Sequence, residues 1–187
     1  MIYVVRHGKA DWNNEHKTMG RCDIPLNAEG REQAYITSEK LGSCNIDIII
    51  CSPLERAKET ARIINENRKL PIYLEDRIME RSMGDLEGKG YLSLEENAKL
   101  WDINANYDLN NVETMERFKE RIYGFIEYIL HKYEDKDILL VTHGGVSALI
   151  NCYFSGTLNQ GPISNKFLGN CEVANYKTYK DIPIKKI

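Results

Sequence analysis

Short apolar runs alternate with helical patterns along this 187-residue sequence, and this alternation constrains the fold more than any other feature. The runs with strand character cover residues 2–5, 46–51, 72–74 and 138–142. Each is apolar nearly throughout, which is typical of parallel strands covered on both faces. We therefore predict one α/β domain over residues 1–187, a three-layer α/β/α sandwich with a mostly parallel central sheet, and edge strands from the tail at 173–187.

Three helix starts are visible in the sequence. Ser52, followed by a proline and by Glu55, predicts a capped helix after the second strand. Ser93 and Glu96 form a second capping box. The longest helix is predicted to begin at Thr114, because the apolar residues that follow it form one continuous stripe.

The charge and hydropathy of the chain exclude several classes of partner. A net charge of −3 gives no general attraction to nucleic acid or to an anionic membrane. No apolar stretch approaches the roughly 20 residues of a membrane span, and no basic leader with a cleavage site precedes the first strand. We expect a cytoplasmic protein that works as a monomer or homodimer.

The five cysteines form an odd set without a short metal-binding or redox motif. Free thiols in a reducing compartment are the expected interpretation. Cys22 and Cys171 are the candidates for a reactive thiol, because both lie in predicted loops near the motifs described next.

Charged or polar side chains follow the end of every predicted strand. The first strand is followed by Arg6, His7 and Gly8, the second by Ser52 and Arg56, the third by Glu80 and the fourth by His143. The carboxyl ends of strands in an open parallel sheet form the ligand crevice. Two arginines, two histidines and one carboxylate are therefore predicted to meet at one edge of the sheet.

This set of groups suits phosphoryl transfer. The transferring group carries charge on its equatorial oxygens, and fixed cations stabilise that charge. Arginine can bind two phosphate oxygens at once, and a helix beginning at Gly144 would add backbone donors. One neutral imidazole can attack phosphorus while Glu80 protonates the leaving oxygen.

Each group also has an ordinary structural explanation. A histidine after a strand is more often a structural residue than a nucleophile, Ser52 is explained by helix capping alone, and an isolated Glu80 would be a surface carboxylate. The joint placement of phosphate-binding groups at four strand ends favours the functional interpretation.

Four segments of the sequence resemble the histidine phosphatases of the phosphoglycerate mutase-like superfamily. They are Val5-Arg6-His7-Gly8, the run from Ser52 to Ala61, the run from Met79 to Gly88, and Val141-Thr142-His143-Gly144-Gly145-Val146. The resemblance spans nearly the whole chain. It implies the α/β/α fold, a phosphohistidine intermediate, and no cofactor or metal ion.

The resemblance also implies roles for individual residues. His7 would be the nucleophile and Glu80 the proton donor. The phosphate pocket would contain Arg6, Arg56 and His143, with Asn13 beside it. We also predict Gly20, Arg21, Arg81 and Gly144 as substrate-binding residues. Two positions depart from the family pattern: Met19 stands where a hydroxyl residue is common, and Glu113 lies in an altered Gly-Glu-Ser segment, where it could organise the site.

The predicted function is hydrolysis of a small phosphorylated metabolite. A mutase is the rival function within the superfamily, but only residues 89–112 separate the Glu80 region from the long helix, which leaves little chain to exclude water. The fold alone would also permit a non-catalytic phosphate-binding protein. A metal-dependent phosphatase is disfavoured, because the arginines that accompany the histidines and carboxylates would repel a cation.

The substrate class is open at this level: a sugar phosphate, a phosphoglycerate or a nucleoside-like phosphate would fit. A second acidic group on the substrate could be bound by the basic residues near the motifs, and aromatic residues could form the pocket wall. These basic residues are Lys9, Lys17, Arg21, Arg81 and Lys89, and the aromatic ones are Trp12, Tyr91, Trp101 and Tyr107.

Overall fold

A five-stranded sheet forms the centre of the computed structural model, which describes residues 1–105, 111–157 and 161–177. The strands are β1 (Ile2–Arg6), β2 (Ile48–Cys51), β3 (Ile72–Leu74), β4 (Ile138–Thr142) and β5 (Val173–Tyr176). They lie in the order β3-β2-β4-β1-β5, and only β5 is antiparallel to its neighbour. The prediction of a mostly parallel sheet is confirmed.

Helices connect the strands. They are α1 (Asp11–Asn14), α2 (Ala28–Lys40), α3 (Glu55–Asn65), α4 (Leu94–Leu100), α5 (Met115–Lys132) and α6 (Gly144–Ser155). Short 3₁₀ turns lie at Asp76–Ile78, Gly84–Leu86 and Ile163–Lys166. None of the helices in the described ranges is long and apolar enough to cross a bilayer.

Successive side chains of the central strands enter two different apolar cores, as the period of a strand requires. Val4 and Leu140 pack in the core that contains the apolar stripe of α5 and one side of α6. Val5 and Leu139 pack in a second core with Ala57, Ala61 and Ile64 of α3. Helices therefore cover both faces of the sheet, and the predicted three-layer α/β/α arrangement is confirmed.

Two predictions about the strands need correction. Strand β2 begins at Ile48 rather than at residue 46, although Ile46 is buried. Strand β3 is not covered on both faces, because the side chains of Tyr73 and Leu74 are 49% and 59% exposed. An apolar run of three residues could not distinguish this exposed edge from a buried strand.

The helix starts were predicted with mixed success. The capping box of Ser93 and Glu96 is confirmed, and Thr114 caps α5 by accepting from the backbone of Arg117. The predicted cap at Ser52 is wrong: α3 begins at Glu55, after an N-cap residue that offers no side-chain bond. The Ser52 hydroxyl has a different partner, described below.

The prediction of edge strands from the tail at 173–187 is confirmed for one strand. Strand β5 adds one edge strand beside β1, and any second strand would fall in residues 178–187, outside the described residues.

The order of the strands determines which residues meet. Strand β4 lies between β1 and β2, and Val141 is in register with both Val5 and Cys51. The residues that follow these three strands are therefore brought to the same level at one edge of the sheet. They are His7 after β1, Ser52 after β2 and His143 after β4.

Candidate active site

His7 lies just beyond β1 and is almost completely buried. Its backbone N–H donates to the Thr142 carbonyl at 2.8 Å, which fixes the residue against β4. Its Nδ1 lies 2.7 Å from the Gly8 carbonyl, so the ring proton is on Nδ1 and the lone pair is on Nε2. Burial lowers the pKa of His7 well below the usual value, and the charges of Arg56 and Arg6 add to this shift. The side chain is therefore a neutral imidazole at pH 7.

Arg56, in the first turn of α3, contacts the unprotonated nitrogen of His7. Its Nε lies 3.3 Å from His7 Nε2, and its two terminal nitrogens donate to the carbonyls of Gly20 and Cys22 at 2.7 Å each. Burial lowers its pKa to about 10, which leaves it charged at pH 7. Arg56 therefore connects the histidine with the loop at residues 20–22.

His143 follows β4 and lies beside His7, with ring centroids 5.2 Å apart. Its Nε2 is 2.7 Å from the hydroxyl of Ser52. Burial lowers the pKa of His143 well below the usual value, and the charge of Arg56 lowers it further. Two neutral imidazoles thus lie side by side between arginines.

Arg6 is the last residue of β1. One of its terminal nitrogens donates to the Leu168 carbonyl at 2.8 Å, and its Cζ would lie 3.5 Å from a Cβ added to Gly144. The Nε of Arg6 and the Nδ1 of His143 are buried without a partner among the described residues. Buried polar atoms without a partner are costly, and acceptor oxygens of a bound anion would satisfy such donors.

Glu80 lies in the irregular segment after the 3₁₀ turn at Asp76–Ile78. Its Oε2 accepts from the backbone N–H of Gly145 at 3.0 Å, and its Oε1 accepts from the N–H of Arg81 at 2.9 Å. The start of α6 was predicted to offer backbone donors to the anion. In the structure the Gly145 donor holds the Glu80 carboxylate instead.

Arg6, His7, Arg56 and Glu80 line a cavity of about 380 Å³, whereas His143 is buried beside His7 and is not part of the lining. The polar end of the lining contains Arg6, His7, Asn13, Gly20, Arg56 and Glu80. The apolar wall contains Met19, Met83, Tyr91, Leu92, Leu94, Leu100, Trp101 and Phe167. The end of the cavity that contains the arginines and His7 is therefore continuous with a largely apolar space.

Asn13 and Gly20 both line the cavity. The Asn13 side chain accepts from the Ala10 backbone at 3.0 Å. Gly20 has a φ of +48°, and a Cβ there would collide with the carboxylate of Glu87, so only glycine fits. The neighbouring Met19 contributes thioether surface to the wall, in place of the hydroxyl common in the resembling family.

Arg21 and Arg81 were predicted to bind substrate, and the structure does not place their side chains in the cavity lining. Arg81 is buried, and it donates to the carbonyls of Glu113 at 2.7 Å and Leu100 at 2.6 Å. Arg21 donates to the Glu80 carbonyl at 3.2 Å and to the Glu113 carboxylate at 3.3 Å. Neither arginine lines the cavity, and both donate to protein oxygens.

Few of the basic residues that were predicted to bind a second acidic group on the substrate lie at the cavity. Among them Lys17 alone lines the cavity, and its ammonium lies 2.6 Å from Glu15. Lys9 pairs with Glu29 instead. Away from the end of the cavity lined by Arg6, His7 and Arg56, the cavity therefore offers little unpaired positive charge.

Some of the aromatic residues that were predicted to form the pocket wall line the cavity, and others do not. Tyr91 and Trp101 line the cavity, and Trp101 also belongs to the apolar core, with its ring 4.7 Å from that of Phe167. Trp12 is not part of the lining, and Tyr107 lies outside the described residues.

The two thiols predicted as reactive are poor nucleophiles. Burial raises the pKa of Cys22, and a hydrogen bond to Glu87 adds to the shift. Burial also raises the pKa of Cys171 to about 12. Both side chains are therefore protonated at pH 7.

The described part of the chain contains no group of three His, Cys, Asp or Glu side chains arranged to hold a metal ion. The positive charge at this site comes from guanidinium groups.

Sequence reasoning missed the roles of two hydroxyl residues. The Thr60 hydroxyl accepts from the Gly8 backbone at 3.0 Å and donates to the Arg56 carbonyl at 2.7 Å. Ser52 contacts His143, whereas its sequence context favoured a helix cap. The available signal was the position of Ser52 directly after a strand, which outweighs the capping pattern here.

Comparison with known proteins gives the same family as the motifs. Residues 2–184 match the model of the histidine phosphatase superfamily (branch 1). The chain is 40% identical over 179 residues to the uncharacterized phosphatase PhoE of Bacillus subtilis (strain 168), covering 94% of this chain and 90% of that one. It is 35% identical over 148 residues to the probable phosphoglycerate mutase GpmB of Salmonella arizonae, covering 76% of this chain and 69% of the relative.

Solved structures agree. The crystal structure of the alpha-ribazole phosphatase from Shigella flexneri superposes with a TM-score of 0.71 at 31% identity, over 83% of this chain and 79% of that one. Bacillus stearothermophilus YhfR gives a TM-score of 0.75 at 28% identity over the same shares of the two chains. With motifs, site geometry and relatives in agreement, this chain belongs to branch 1 of the histidine phosphatase superfamily.

Proposed function

We propose that this chain is a metal-independent phosphomonoester hydrolase that works through a phosphohistidine on His7. The observation that carries the proposal is the bonding of the His7 ring: Nδ1 faces the Gly8 carbonyl at 2.7 Å and Nε2 faces the Arg56 Nε–H at 3.3 Å. Nε2 therefore carries the lone pair that attacks phosphorus. The attack requires the Arg56 N–H to turn from Nε2 to a phosphoryl oxygen, which a bound phosphate group supplies.

In the first step His7 Nε2 attacks phosphorus. The ester P–O bond breaks, its electron pair goes to the leaving oxygen, and that oxygen takes a proton from Glu80. Arg6 and Arg56 stabilise the charge on the equatorial oxygens. A protonated Nδ1 on His143 would supply a further donor.

In the second step water attacks the phosphohistidine. Glu80, now a carboxylate, accepts the proton of the water, and the P–N bond breaks with its electron pair returning to His7 Nε2. Inorganic phosphate leaves and the starting protonation states are restored.

The cavity wall supports a substrate with an uncharged, partly apolar organic group. Methionine, leucine and aromatic side chains form most of the wall. Lys17, the cation in the lining beyond the catalytic groups, is paired with Glu15. A free carboxylate on the substrate would therefore have to compete with Glu15 for Lys17.

The same feature disfavours a mutase. A phosphoglycerate carries a carboxylate close to its phosphate, and a mutase must also keep water from the phosphoenzyme. A non-catalytic role is disfavoured because His7 and Glu80 are both present and both line the cavity.

Two substitutions test the proposal. His7→Asn should abolish hydrolysis of 4-nitrophenyl phosphate and the acid-labile phosphoenzyme, and chelators should not affect the wild-type rate. Glu80→Gln should lose about 10²- to 10⁴-fold on an alkyl phosphate and far less on 4-nitrophenyl phosphate, whose leaving group needs little protonation. Phosphoenzyme formation in His7→Asn, or a rate restored only by a divalent ion, would contradict the proposal.

A cytoplasmic location and a monomeric or homodimeric state belong to the proposal as well. All five cysteines are free, which suits a reducing compartment. Every group assigned to the reaction is found in this one chain.

A further inference from the structure

One guanidinium group holds the backbone that leads to Glu80. Arg121, on α5, donates from one terminal nitrogen to the carbonyls of Arg77 at 2.6 Å and Met79 at 2.8 Å. Its other terminal nitrogen donates to the Glu80 carbonyl at 3.0 Å. These carbonyls lie in and after a 3₁₀ turn, where no sheet ladder is available to bind them. Arg121 supplies the donors that regular structure would otherwise provide.

Glu113 fixes this guanidinium from the opposite side. Its two carboxylate oxygens accept from Arg121 at 2.7 and 2.9 Å. One of the same oxygens accepts from Arg21 at 3.3 Å and from the Ser82 backbone at 3.2 Å. Arg21 in turn donates to the Glu80 carbonyl at 3.2 Å. The Glu80 carbonyl is therefore bound by two arginines, and Glu113 orients both.

The burial of this cluster makes its geometry rigid. The side chains of Glu113 and Arg121 are only 12% and 16% exposed. Burial acts to raise the pKa of Glu113, but the hydrogen bond and charge of Arg121 and the charge of Arg21 lower it overall. Glu113 is therefore ionised at pH 7 and is not a proton donor.

The contacts of Glu113, Arg121 and Arg21 have a chemical consequence at Glu80. Proton transfer requires the carboxyl group within hydrogen-bond distance of the leaving oxygen, and a displacement of about 1 Å can cost about 100-fold in rate. Buried ion pairs contribute little net stability on average, so stability alone does not account for this cluster.

We propose that Glu113, Arg121 and Arg21 are positioning residues that hold Glu80 in place for proton transfer to the leaving group. This inference rests on the proposed function, because it takes Glu80 as the acid. The side chains of these three residues bind the segment that carries Glu80, whereas Arg6, Arg56 and His143 are the residues assigned to the phosphate pocket. The two sets are neighbours: Arg56 binds the carbonyls on either side of Arg21, and the charge of Arg121 contributes to the lowered pKa of His143.

The test compares two leaving groups. Glu113→Gln, Arg121→Lys and Arg21→Met should each lose activity on an alkyl phosphate about tenfold or more beyond any loss on 4-nitrophenyl phosphate, because only the alkoxide needs a well-placed acid. Inhibition by vanadate should change less than turnover of the alkyl phosphate, since the three side chains bind the Glu80 segment rather than the side chains assigned to the phosphate pocket. Arg117→Met is the matched control, because Arg117 is exposed on the same helix.

Arg21→Met ensures that the test is decided even if the buried substitutions unfold the chain, because the Arg21 side chain is 37% exposed. Equal losses on the two substrates, or no loss, in a folded Arg21→Met protein would overturn the inference. Glu80→Gln distinguishes failure of the proposed acid from failure of the proposed positioning residues. If Glu80→Gln loses equal activity on the two substrates, Glu80 is not the acid. If Glu80→Gln loses more activity on the alkyl phosphate but Arg21→Met does not, Glu80 is the acid and only the positioning role is wrong.

Discussion

The hydroxyl of Ser52 lies 2.7 Å from Nε2 of His143. The same hydroxyl oxygen accepts a long hydrogen bond, 3.4 Å, from the backbone N–H of Leu54. The hydroxyl proton can be directed at Nε2, and in that arrangement the His143 ring proton lies on Nδ1. We expect Ser52 to stabilise this tautomer, which can donate to a phosphoryl oxygen.

Replacing Ser52 should therefore weaken transition-state binding. We expect Ser52→Ala to lower kcat/KM by roughly tenfold or more, less than the 10²- to 10³-fold effect of deleting an oxyanion donor outright. Vanadate inhibition should weaken in parallel. Ser38→Ala is a suitable control, because the Ser38 hydroxyl binds the Ile64 carbonyl outside the cavity lining. Unchanged kinetics in Ser52→Ala would show that the tautomer does not depend on this bond.

Arg56 should not tolerate lysine. Its guanidinium contacts His7 and the carbonyls of Gly20 and Cys22 at the same time, and an ammonium group cannot reproduce that fork. We expect Arg56→Lys to lose about 10²-fold or more in kcat and to bind vanadate more weakly. Arg62→Lys, on the exposed side of the same helix, should behave as wild type. A vanadate response that is identical in both variants would remove Arg56 from the phosphate pocket.

The lack of space around Gly145 predicts that a larger residue at this position would displace Glu80. A Cβ at this position would lie 2.6 Å from a Glu80 carboxylate oxygen and 2.7 Å from the Trp101 ring. Gly145→Ala should therefore displace the acid and reduce turnover of an alkyl phosphate by about 100-fold. Gly90→Ala is the matched control, since nothing lies within 4 Å of its added Cβ. Wild-type turnover in Gly145→Ala would show that Glu80 moves to its working position only after substrate binds.

The buried histidines predict how stability depends on pH. The pKa values of His7 and His143 are lowered well below the usual value by burial, with nearby positive charges adding to the effect. Below pH ~6.5 the unfolded chain takes up a proton at each residue while the folded chain does not, so stability falls as the pH decreases.

The slope is the measurable quantity. Each buried histidine contributes up to about 1.4 kcal/mol per pH unit below pH ~6.5, until the folded pKa is reached. Urea unfolding between pH 7.5 and 5.5 should therefore show a shallower slope for His7→Asn than for wild type. Identical slopes would mean that His7 is protonated in the folded protein.

The location of the site was predictable from sequence for a simple physical reason. The carboxyl ends of adjacent parallel strands must meet, so His7, Arg56 and His143 could be placed together without knowing the order of the strands. The directions of long side chains could not be predicted in this way. Arg21 and Arg81 are near the motifs in sequence, but carbonyls of the irregular segments bind both away from the cavity. Such carbonyls become visible only when the irregular segments are seen in three dimensions.

The apolar wall provides a built-in optical signal. The chain has two tryptophans, Trp12 and Trp101, and only Trp101 lines the cavity. Its indole lies against Phe167 and near the Arg81 guanidinium, so a ligand that enters the cavity changes the polarity and the quenching groups around it. In a Trp12→Phe protein the emission comes from Trp101 alone. Titration of that variant with candidate phosphate esters would then rank their binding by fluorescence, including esters that are never hydrolysed.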